Sequence, residues 1–519
     1  MLNKYLNSRF LILYFTPLML GGLTVFSFQP FNFTYINFLI LPLFFLLTVY
    51  IKKKSKSTYR KKPYKKNLFI LGTIFGFSFY LSGIFWITNS LTFDENFKVL
   101  IPIAIIAIPL FLSLFFGIAT LISGPFLNLN FSSILIFSGT LAFFDFIRAK
   151  ILTGFPWNLW AYSFSWATEV IQILNLLGLF AFNLIVITLF TLPAVLFFKI
   201  NNSKKIFSVI FLFLVFSSLY IYGNHSINQN NILLKSINKK FNIKVVSPNF
   251  DLKYGLSIKE VEGRLKKLVR YSEPNKKIKT LFIWPEGPLS GYSYSEVIGL
   301  KKIISENFSE NHFIVFGINR LNKEKDQYYN SLIVINNKFE IIHQYNKQKL
   351  VPFGEFLPLE KLLNKSGLKK ITEGHGSYLK GKEQKNIIID TLNILPMICY
   401  EIIFTNLIQK SHYNTNLIIN ISEDGWFGDT IGPHQHFAKG IFRAIEHNSF
   451  LIRSANKGIS AIINNKGEIV KKLNANEAGN IEFDVPLITS DYKNKNDLIF
   501  FMLLFTYLLI YKFYKNNEK

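Results

Sequence analysis

The chain has 519 residues, half of them hydrophobic, and includes 55 phenylalanines. A soluble protein of this length rarely carries so much apolar surface, so the composition predicts a membrane component. The net charge of +26 does not by itself indicate a nucleic-acid partner. The basic residues are scattered or lie in short loops beside apolar runs, and we find no nucleic-acid-binding motif.

Apolar runs precede and follow a long polar insert. Most reach the ~20 residues that a bilayer requires, and they cover residues 10–28, 34–51, 67–89, 98–123, 131–148, 167–198 and 205–223. A shorter run covers residues 498–513. The sequence therefore predicts four parts in chain order: a seven-span bundle over residues 1–223, a polar linker over 224–239, an extramembrane domain over 240–490, and a final span with a short tail over 491–519.

The basic loops predict the orientation of these spans. Residues 52–66 form a strongly basic short loop, and such loops stay in the cytoplasm. With that loop inside, the basic segments 199–205 and 512–519 also fall inside. The insert then falls outside, which is the periplasm in a cell with two membranes.

The insert shows patterns typical of an α/β domain. Short β-rich runs lie at residues 243–246, 280–284, 313–318, 332–335, 394–398 and 417–421. Helical patterns cover residues 257–271 and 295–307, and hairpin turns are predicted at 336–338 and 464–467.

One strand of the insert ends in a carboxylate. The apolar run continues into Trp284 and Pro285 and then delivers Glu286. Partial desolvation against Trp and Pro would raise the pKa of this carboxyl group and make it a better base near neutral pH. The alternative is an ordinary strand-end glutamate in solvent.

A second segment, residues 345–358, combines lysines with a constrained turn. Lys347 and Lys349 precede the sequence Pro-Phe-Gly-Glu, which ends at Glu355. A lysine beside a carboxylate can hold positive charge where an oxyanion develops. Proline and glycine fix the backbone that carries Glu355. The alternative is a solvated loop in a lysine-rich protein, and this is our interpretation of Lys349.

The only cysteine of the chain, Cys399, follows an apolar strand and precedes Tyr400 and Glu401. A lone cysteine forms no intramolecular disulfide and is usually a small buried hydrophobe. A thiol at a strand end can also lie at the mouth of a site, where a neighbouring lysine or base shifts it toward the reactive thiolate.

Together the three segments supply a nucleophile, a base and a cation. Glu286, Lys347 and Cys399, in Trp-Pro-Glu, Asn-Lys and Cys-Tyr-Glu contexts, resemble the nitrilase (carbon–nitrogen hydrolase) superfamily. The position of this domain between seven spans and one span resembles the apolipoprotein N-acyltransferase family. Further motifs similar to that family lie at residues 28–31, 152–158, 329–332, 424–428 and 432–436.

The resemblance implies a membrane α-helical bundle of about eight spans and an extramembrane α/β domain with a nitrilase-like αββα sandwich. It also implies a ping-pong reaction without metal or other cofactor. Cys399 would take an acyl group from a membrane phospholipid, with Glu286 as base and Lys347 at the oxyanion. The thioester would then acylate the N-terminal amine of a diacylglyceryl apolipoprotein. Six residues would support the site or bind substrate: Glu355, Tyr400, Glu401, Asn330, Trp284 and Trp426.

The resemblance further implies a monomer in the bacterial inner membrane with its catalytic domain in the periplasm. Three positions depart from the family pattern. Glu423 stands where Asn is usual, Tyr254 where Trp is common, and Lys457 where Asn or a small polar residue is usual. These changes leave the three proposed catalytic residues intact and concern the substrate-binding loops.

Two further groups of polar residues invite a functional interpretation. His434, His436 and Asp424 suggest a metal site, but His-x-His without a convincing third ligand favours the polar start of a helix. Asp145 and Arg148, near the outer end of the fifth span, are predicted to form a structural pair, the alternative being contact with a substrate headgroup.

Two rival functions remain at this stage. A membrane-tethered amidase would use the same three residues on a small amide or nitrile, although a hydrolase of soluble substrates has no need of eight spans. A silent scaffold or transporter is disfavoured because the spans lack the paired Gly/Pro-broken segments of a transport path.

Overall fold

The computed structural model describes residues 8–56, 63–358, 377–382, 385–408, 414–490 and 496–517. The chain divides into two compact units. The first comprises Met1–Thr88, Lys98–Ser226 and Lys495–Lys519, and the second comprises Asn89–Phe97 and Ile227–Asn494. The second unit therefore includes a short segment that lies between two helices of the first along the sequence.

The first unit is helical and apolar. Before the insert its main helices are α1 (Thr16–Leu23), α2 (Asn37–Lys56), α3 (Pro63–Ile84), α4 (Ile101–Ser123), α5 (Phe131–Lys150), α6 (Leu179–Thr191) and α7 (Asn202–Ser236). Shorter turns join them, including the π-helical turn Leu11–Phe15 and the 3-10 helix Phe85–Phe93.

Seven helices of the described chain are long and apolar enough to cross a membrane. They include six segments before the insert and Asp497–Tyr514 after it. The remaining predicted run, Leu11–Ser27, is apolar but shorter. At 1.5 Å per residue it reaches roughly 25 Å, less than the ~30 Å hydrocarbon core.

Two segments differ from the predicted pattern. The predicted span 167–198 becomes a continuous helix only from Leu179, because Gly178 has a φ of 74° and a residue in that region cannot continue a right-handed helix. Residues 224–239, which the sequence predicts as a linker, are helical as far as Ser236 and extend α7.

The predicted pair of Asp145 and Arg148 is confirmed within this unit. Arg148 Nη2 lies 2.9 Å from Asp145 Oδ1, and both side chains are buried. Asn183 Nδ2 donates to Asp145 Oδ2 at 3.0 Å. Arg148 Nη1 also donates to the carbonyl oxygens of Phe155 and Trp157. The pair therefore holds the segment that follows α5, which is a structural role.

The second unit contains two six-stranded sheets. The strand orders are β12-β1-β2-β3-β4-β5 and β11-β10-β9-β8-β7-β6. The first sheet comprises β1 (Lys240–Ser247), β2 (Thr280–Ile283), β3 (His312–Asn322), β4 (Gln327–Ile335), β5 (Ile341–Asn346) and β12 (Gly479–Pro486). The second comprises β6 (Ile387–Ile389), β7 (Leu392–Ile398), β8 (Leu417–Glu423), β9 (Phe450–Asn456), β10 (Ser460–Ile463) and β11 (Ile469–Leu473).

Three strands at the centre of each sheet are parallel: β1, β2 and β3 in one, and β7, β8 and β9 in the other. The carboxyl ends of neighbouring parallel strands meet at one edge of a sheet, where ligands bind in open α/β folds. This arrangement brings the residues that follow β2, β7 and β8 to the sheet edges.

Helices cover the outer face of each sheet. They are α8 (Ile258–Ser272) and α9 (Lys301–Asn307) on the first sheet and α10 (Gly432–His447) on the second. Because side chains alternate along a strand, Leu281 and Ile283 face the core between the sheets, whereas Phe282 and Trp284 face the helices. The predicted αββα sandwich is confirmed. The chain then returns to the first unit as α11 (Asn496–Asn517).

Candidate active site

Glu286 lies just beyond the carboxyl end of β2, and the neighbouring strand holds it closely. A Cβ atom added to Gly317 on β3 would lie 2.8 Å from the Glu286 Cα atom, so this position requires glycine. Gly287 adopts a φ of +56° and turns the chain away after the carboxylate. Glu286 is only 8% exposed, which excludes the alternative of a strand-end glutamate in solvent.

Three donors hold the Glu286 carboxylate. Asn330 Nδ2 donates to Oε1 at 2.8 Å and Lys347 Nζ donates to the same oxygen at 3.3 Å. The backbone N–H of Glu423 donates to Oε2 at 3.1 Å. Residues from both sheets therefore orient this group.

Lys347 follows β5 and is fully buried among carboxylates. Its Nζ atom donates to Glu355 Oε1 at 2.9 Å as well as to Glu286. Burial alone would lower the pKa of Lys347, but the charges of Glu286 and Glu355 raise it well above its ordinary value. The side chain is therefore a permanent cation at neutral pH.

The backbone on both sides of Lys347 is also fixed. Its N–H donates to the Asn330 carbonyl at 2.9 Å, and its own carbonyl accepts from the Gly381 N–H at 2.8 Å. Glu355 is held in turn by Asn330 Nδ2 at 2.7 Å and by the Val351 N–H at 2.8 Å. The Pro-Phe-Gly-Glu turn thus directs Glu355 at Lys347.

Cys399 begins a 3-10 turn immediately after β7 and has a φ of +48°, a strained conformation for a residue with a side chain. Burial raises the pKa of its thiol, and the nearby Glu286 charge raises it further, while Lys347 opposes the rise. The resting thiol is therefore protonated, and an attack by its sulfur requires a base.

Glu401 joins the cysteine turn to the lysine segment. One carboxylate oxygen accepts from the N–H groups of Gln348 and Lys349 at 2.6 and 3.1 Å. The other accepts from the Ile398 N–H at 2.8 Å. Burial raises the pKa of Glu401 to about 7, against the effect of these backbone donors and Lys347. Glu401 therefore fixes the residues that flank Cys399 and Lys347.

A buried histidine also supports the cysteine turn. His436 Nε2 lies 3.2 Å from the Cys399 carbonyl oxygen, and its Nδ1 atom lies 3.0 Å from Asp424 Oδ1. Arg453 Nη2 donates to Asp424 Oδ2 at 2.7 Å and lies 3.0 Å from His436 Nδ1. Burial and Arg453 lower the pKa of His436, which keeps the ring neutral.

Sequence reasoning considered His436 and Asp424 only as metal ligands or as a helix start, and it missed this contact. His436 does lie in the first turns of α10. Within the described part of the chain, no group of three or more His, Cys, Asp or Glu side chains is arranged to hold a metal ion. The link from α10 to β7 is a long-range contact that residue order does not reveal.

The other predicted supporting residues occupy different places. Asn330 lies at the centre of the site, as described. Tyr400 is half-buried beside Cys399, with its ring 5.0 Å from that of Phe404. Trp426 is half-buried against Phe93. Trp284 is fully buried under α8, in the core of the first sheet, and donates to Ser272 Oγ at 2.9 Å.

The three departures from the family pattern lie in one region. Glu423 is buried and accepts from Asn456 Nδ2 at 3.0 and 2.9 Å and from the Gly425 N–H at 3.0 Å. Lys457 Nζ lies 2.6 Å from Asp251 Oδ1. The ring of Tyr254 lies 6.1 Å from that of Trp426. These contacts attach the 250–254 loop to the ends of β8 and β9.

Lys349 differs from its predicted solvated state. It is half-buried, and its Nζ atom lies 4.8 Å from the centre of the Phe404 ring. Sequence reasoning also missed Tyr378, a half-buried residue whose hydroxyl donates to Asn319 Oδ1 at 3.0 Å. Burial, with Glu355 and Glu286 nearby, raises the pKa of Tyr378.

Known proteins resemble this chain along most of its length. Residues 20–192 match the apolipoprotein N-acyltransferase N-terminal domain, and residues 255–491 match the carbon-nitrogen hydrolase family. A protein named apolipoprotein N-acyltransferase from Rickettsia prowazekii is 33% identical over 450 residues, which cover 84% of this chain and 89% of the relative. One of the same name from Brucella melitensis is 30% identical over 426 residues, 80% of this chain and 79% of the relative.

Among solved structures, Nit3 of Saccharomyces cerevisiae, a member of the nitrilase superfamily, is 15% identical. The match covers 48% of this chain and 91% of Nit3 with a TM-score of 0.36. The 33% identity to the Rickettsia protein across 84% of the chain shows that the chain belongs to the apolipoprotein N-acyltransferase family.

Proposed function

We propose that this chain transfers a fatty acyl group from a membrane phospholipid to the N-terminal amine of diacylglyceryl-cysteine apolipoproteins. The observation that carries the proposal is the buried arrangement of Glu286, Lys347 and Glu355, in which the charges of Glu286 and Lys347 act on the Cys399 thiol. Acyl transfer through a thioester requires a nucleophile, a base and a cation at the oxyanion, and this site brings them together in a chain of this family.

In the first half-reaction Glu286 takes the proton of the Cys399 thiol as the sulfur attacks an ester carbonyl of the phospholipid. Two N–H groups of Lys347 donate to carboxylates, and an ammonium has a third that can donate to the developing oxyanion. The carbon–oxygen bond to glycerol then breaks. Glu286 returns the proton to the departing oxygen, and lysophospholipid leaves a thioester on Cys399.

In the second half-reaction the free amine of the apolipoprotein attacks the thioester carbonyl. The carbon–sulfur bond breaks, the amine proton passes through Glu286 to the sulfur, and an amide and the free thiol result. Glu286 therefore acts as acid and base in turn, which suits a carboxylate held by three donors in one position.

We further propose that the enzyme is a monomer of the bacterial inner membrane with residues 240–490 in the periplasm. Its relatives are bacterial proteins, and seven described helices are apolar enough to cross a membrane. Both substrates are lipids, and a membrane enzyme admits their acyl chains without transferring them into water.

The proposal is tested by separating the two half-reactions. Protein in detergent is incubated with phospholipid labelled in its acyl chain, without acceptor. We expect hydroxylamine-sensitive label on Cys399, which a diacylglyceryl peptide with a free N-terminus then discharges as an N-acyl peptide. The Cys399→Ala variant should form no thioester and produce no N-acyl peptide. The Glu286→Gln variant should form no thioester, because no base takes the proton of the thiol.

An acceptor peptide with an acetylated N-terminus is the matched control, because it keeps the lipid and lacks only the amine. The amidase alternative gives the opposite result. Ammonia release from a small amide that depends on Cys399, without label from phospholipid, would overturn the acyltransferase proposal.

A further inference from the structure

A buried serine lies beside the nucleophile, on the strand next to the one that delivers Cys399. Strands β7 and β8 are parallel, and Ile398 at the end of β7 pairs with Ile421 on β8. The next residues along the two strands are Cys399 and Ser422, so the register brings them side by side. Ser422 is fully buried, and its hydroxyl lies within hydrogen-bonding reach of the Cys399 thiol. The serine hydroxyl is therefore a neighbour of the reacting sulfur.

The Ser422 hydroxyl has a charged acceptor on its other side. Its Oγ atom donates to Asp424 Oδ1 at 2.6 Å. A hydroxyl carries a single proton, so while Ser422 donates to Asp424 it can only accept from the thiol. In the resting enzyme the Cys399 S–H therefore donates to the Ser422 oxygen, and the Ser422 O–H donates to the Asp424 carboxylate.

Asp424 keeps its charge and its position without the serine. Arg453 Nη2 donates to Asp424 Oδ1 at 2.9 Å and to Oδ2 at 2.7 Å, and His436 Nδ1 lies 3.0 Å from Oδ1. Burial alone would raise the pKa of Asp424, but Arg453 and His436 lower it well below its ordinary value. The carboxylate therefore remains ionised and held when the Ser422 hydroxyl turns away from it.

The sulfur gains negative charge in both half-reactions, and most of its surroundings oppose that charge. Burial disfavours the thiolate, and the carboxylates of Glu286 and Asp424 repel it. The charge of Lys347 and the Ser422 hydroxyl favour it. Because Lys347 already donates to two carboxylates, the hydroxyl, which rotates about one bond, is the donor that can turn toward the sulfur.

We propose that Ser422 is a further catalytic residue, which donates a hydrogen bond to the Cys399 sulfur whenever that sulfur carries negative charge. The role rests on the proposed acyl transfer. In the first half-reaction the thiol proton passes to Glu286 and the Ser422 hydroxyl turns from Asp424 to the sulfur. The sulfur bonds to the ester carbonyl carbon, and the π electron pair moves to the carbonyl oxygen.

In the second half-reaction the carbon–sulfur bond breaks and its electron pair goes to the sulfur. The Ser422 hydroxyl donates to that sulfur until Glu286 returns the proton. Ser422 itself neither gains nor loses a proton in either step. A charge-assisted hydrogen bond is stronger than a neutral one, so this contact stabilises the charged sulfur more than the resting thiol.

The first test measures alkylation by iodoacetamide across a range of pH, on full-length protein in detergent. Cys399 is the only cysteine of the chain, so the label reports this thiol alone. Ser422→Ala should lower the alkylation rate by about tenfold at each pH, the scale of one hydrogen bond to a charged group. Ser422→Thr keeps the hydroxyl and should recover part of the rate. A merely structural role predicts the opposite change, because the smaller alanine side chain opens the site to the reagent.

Ser454→Ala is the matched control. Ser454 is a fully buried serine on the adjacent strand β9, and its hydroxyl donates to the Val246 carbonyl at 2.8 Å. Loss of this hydroxyl should leave the alkylation rate unchanged. A rate in Ser422→Ala that equals or exceeds that of the wild type, or the same loss in Ser454→Ala, would overturn the proposal.

A second measurement detects the resting hydrogen bond and needs no variant. The infrared S–H stretching band of the single thiol should lie at lower frequency in the wild type than in a simple thiol dissolved in an apolar solvent, because the S–H donates to the Ser422 oxygen. The band should return toward the apolar reference in Ser422→Ala. A wild-type band at the reference frequency would overturn the proposal even if Ser422→Ala does not fold.

Both measurements proceed without phospholipid or acceptor. Failure of the wild type to load Cys399 from labelled phospholipid would therefore count against the proposed acyl transfer. An unaltered alkylation rate or an unshifted S–H band would count against the role of Ser422 alone.

Discussion

At the scale of single residues, two nearby lysines differ in how firmly the structure holds their charged groups. Lys347 is buried between Glu286 and Glu355, whereas Lys349 lies half-buried over the Phe404 ring. Strand β5 delivers Lys347 to the carboxylates, and Glu401 binds the backbone that follows it.

This difference predicts opposite results for the two lysines. Lys347→Ala should lower the rate of thioester formation by about 10²–10³, the usual effect of losing one oxyanion donor. Lys349→Ala should have a small effect, because Lys349 is only half-buried and a partly exposed cation over an aromatic ring contributes about 0.5–1 kcal/mol. Single-turnover loading with labelled phospholipid measures both rates. A larger loss in Lys349→Ala would mean that the cation is misassigned.

Glu423 predicts a dependence of stability on pH. Burial raises its pKa well above the ordinary value of 4.5, and the nearby charges of Glu286 and Asp424 add to the rise. The folded state therefore binds this proton more tightly than the unfolded state. The resulting stabilisation is fully present below pH ~4.5 and is lost as the pH rises through the raised pKa.

Glu423→Gln carries the shape of the protonated side chain without its titration. We expect its free energy of unfolding to gain on that of the wild type as the pH rises above ~4.5, measured by thermal unfolding in detergent. Glu423→Ala should lose about 1–3 kcal/mol, because the Gly425 N–H and Asn456 lose their buried acceptor. Parallel pH curves for Glu423→Gln and wild type would refute the assignment.

At the scale of elements, most central strands were predictable, whereas the central strand β9 and peripheral strands such as β6 and β11 were not. All six predicted β-rich runs lie in strands, because a strand buried on both faces appears as a continuous apolar run. Strand β9 was missed because Arg453 interrupts its apolar pattern, and only the structure shows that Asp424 pairs with this arginine. Strand β11 carries exposed lysines, and β6 has three residues.

The predicted helix at 295–307 is interrupted for a local reason. It divides into Tyr294–Val297, the 3-10 turn Ile298–Leu300 and α9. Gly299 lies in that turn, and glycine disfavours a helix interior by about 1 kcal/mol.

The candidate site, like the strands, could be predicted from the sequence only in part. The sequence predicted its three proposed catalytic residues, whereas contacts between elements, such as His436 with Cys399, required the fold.

That contact predicts a positioning role for α10. Cys399 is strained at a φ of +48°, and His436 holds its carbonyl oxygen. His436→Ala should slow thioester formation by about tenfold, the scale of a buried hydrogen bond, with little change in the KM for phospholipid. His436→Gln can still place an N–H near the Nε2 position and should recover part of the rate. Equal rates for the two variants, or a raised KM alone, would contradict the role.

At the scale of the whole molecule, the distribution of basic residues predicts which side of the membrane each unit faces. Residues 52–66 are strongly basic; residues 57–62 lie outside the described part of the chain, whereas Lys53 in α2 and Lys65 in α3 are described and exposed. Short basic loops remain in the cytoplasm. Five spans separate that loop from the 240–490 domain, and this odd number predicts that the domain lies on the opposite side, where lipoprotein N-termini would be reached.

Reporter cysteines test this orientation, because Cys399→Ala leaves the chain without any other cysteine. Lys277→Cys places a thiol on an exposed part of the catalytic domain, and Lys53→Cys places one on the basic loop. In spheroplasts a membrane-impermeant maleimide should label the first and spare the second. Lysis should then make the second accessible. If seven helices cross and Leu11–Ser27 does not, the two sites still lie on opposite sides, because both follow that segment. Labelling of Lys53→Cys in intact spheroplasts, with Lys277→Cys protected until lysis, would show that the orientation is reversed.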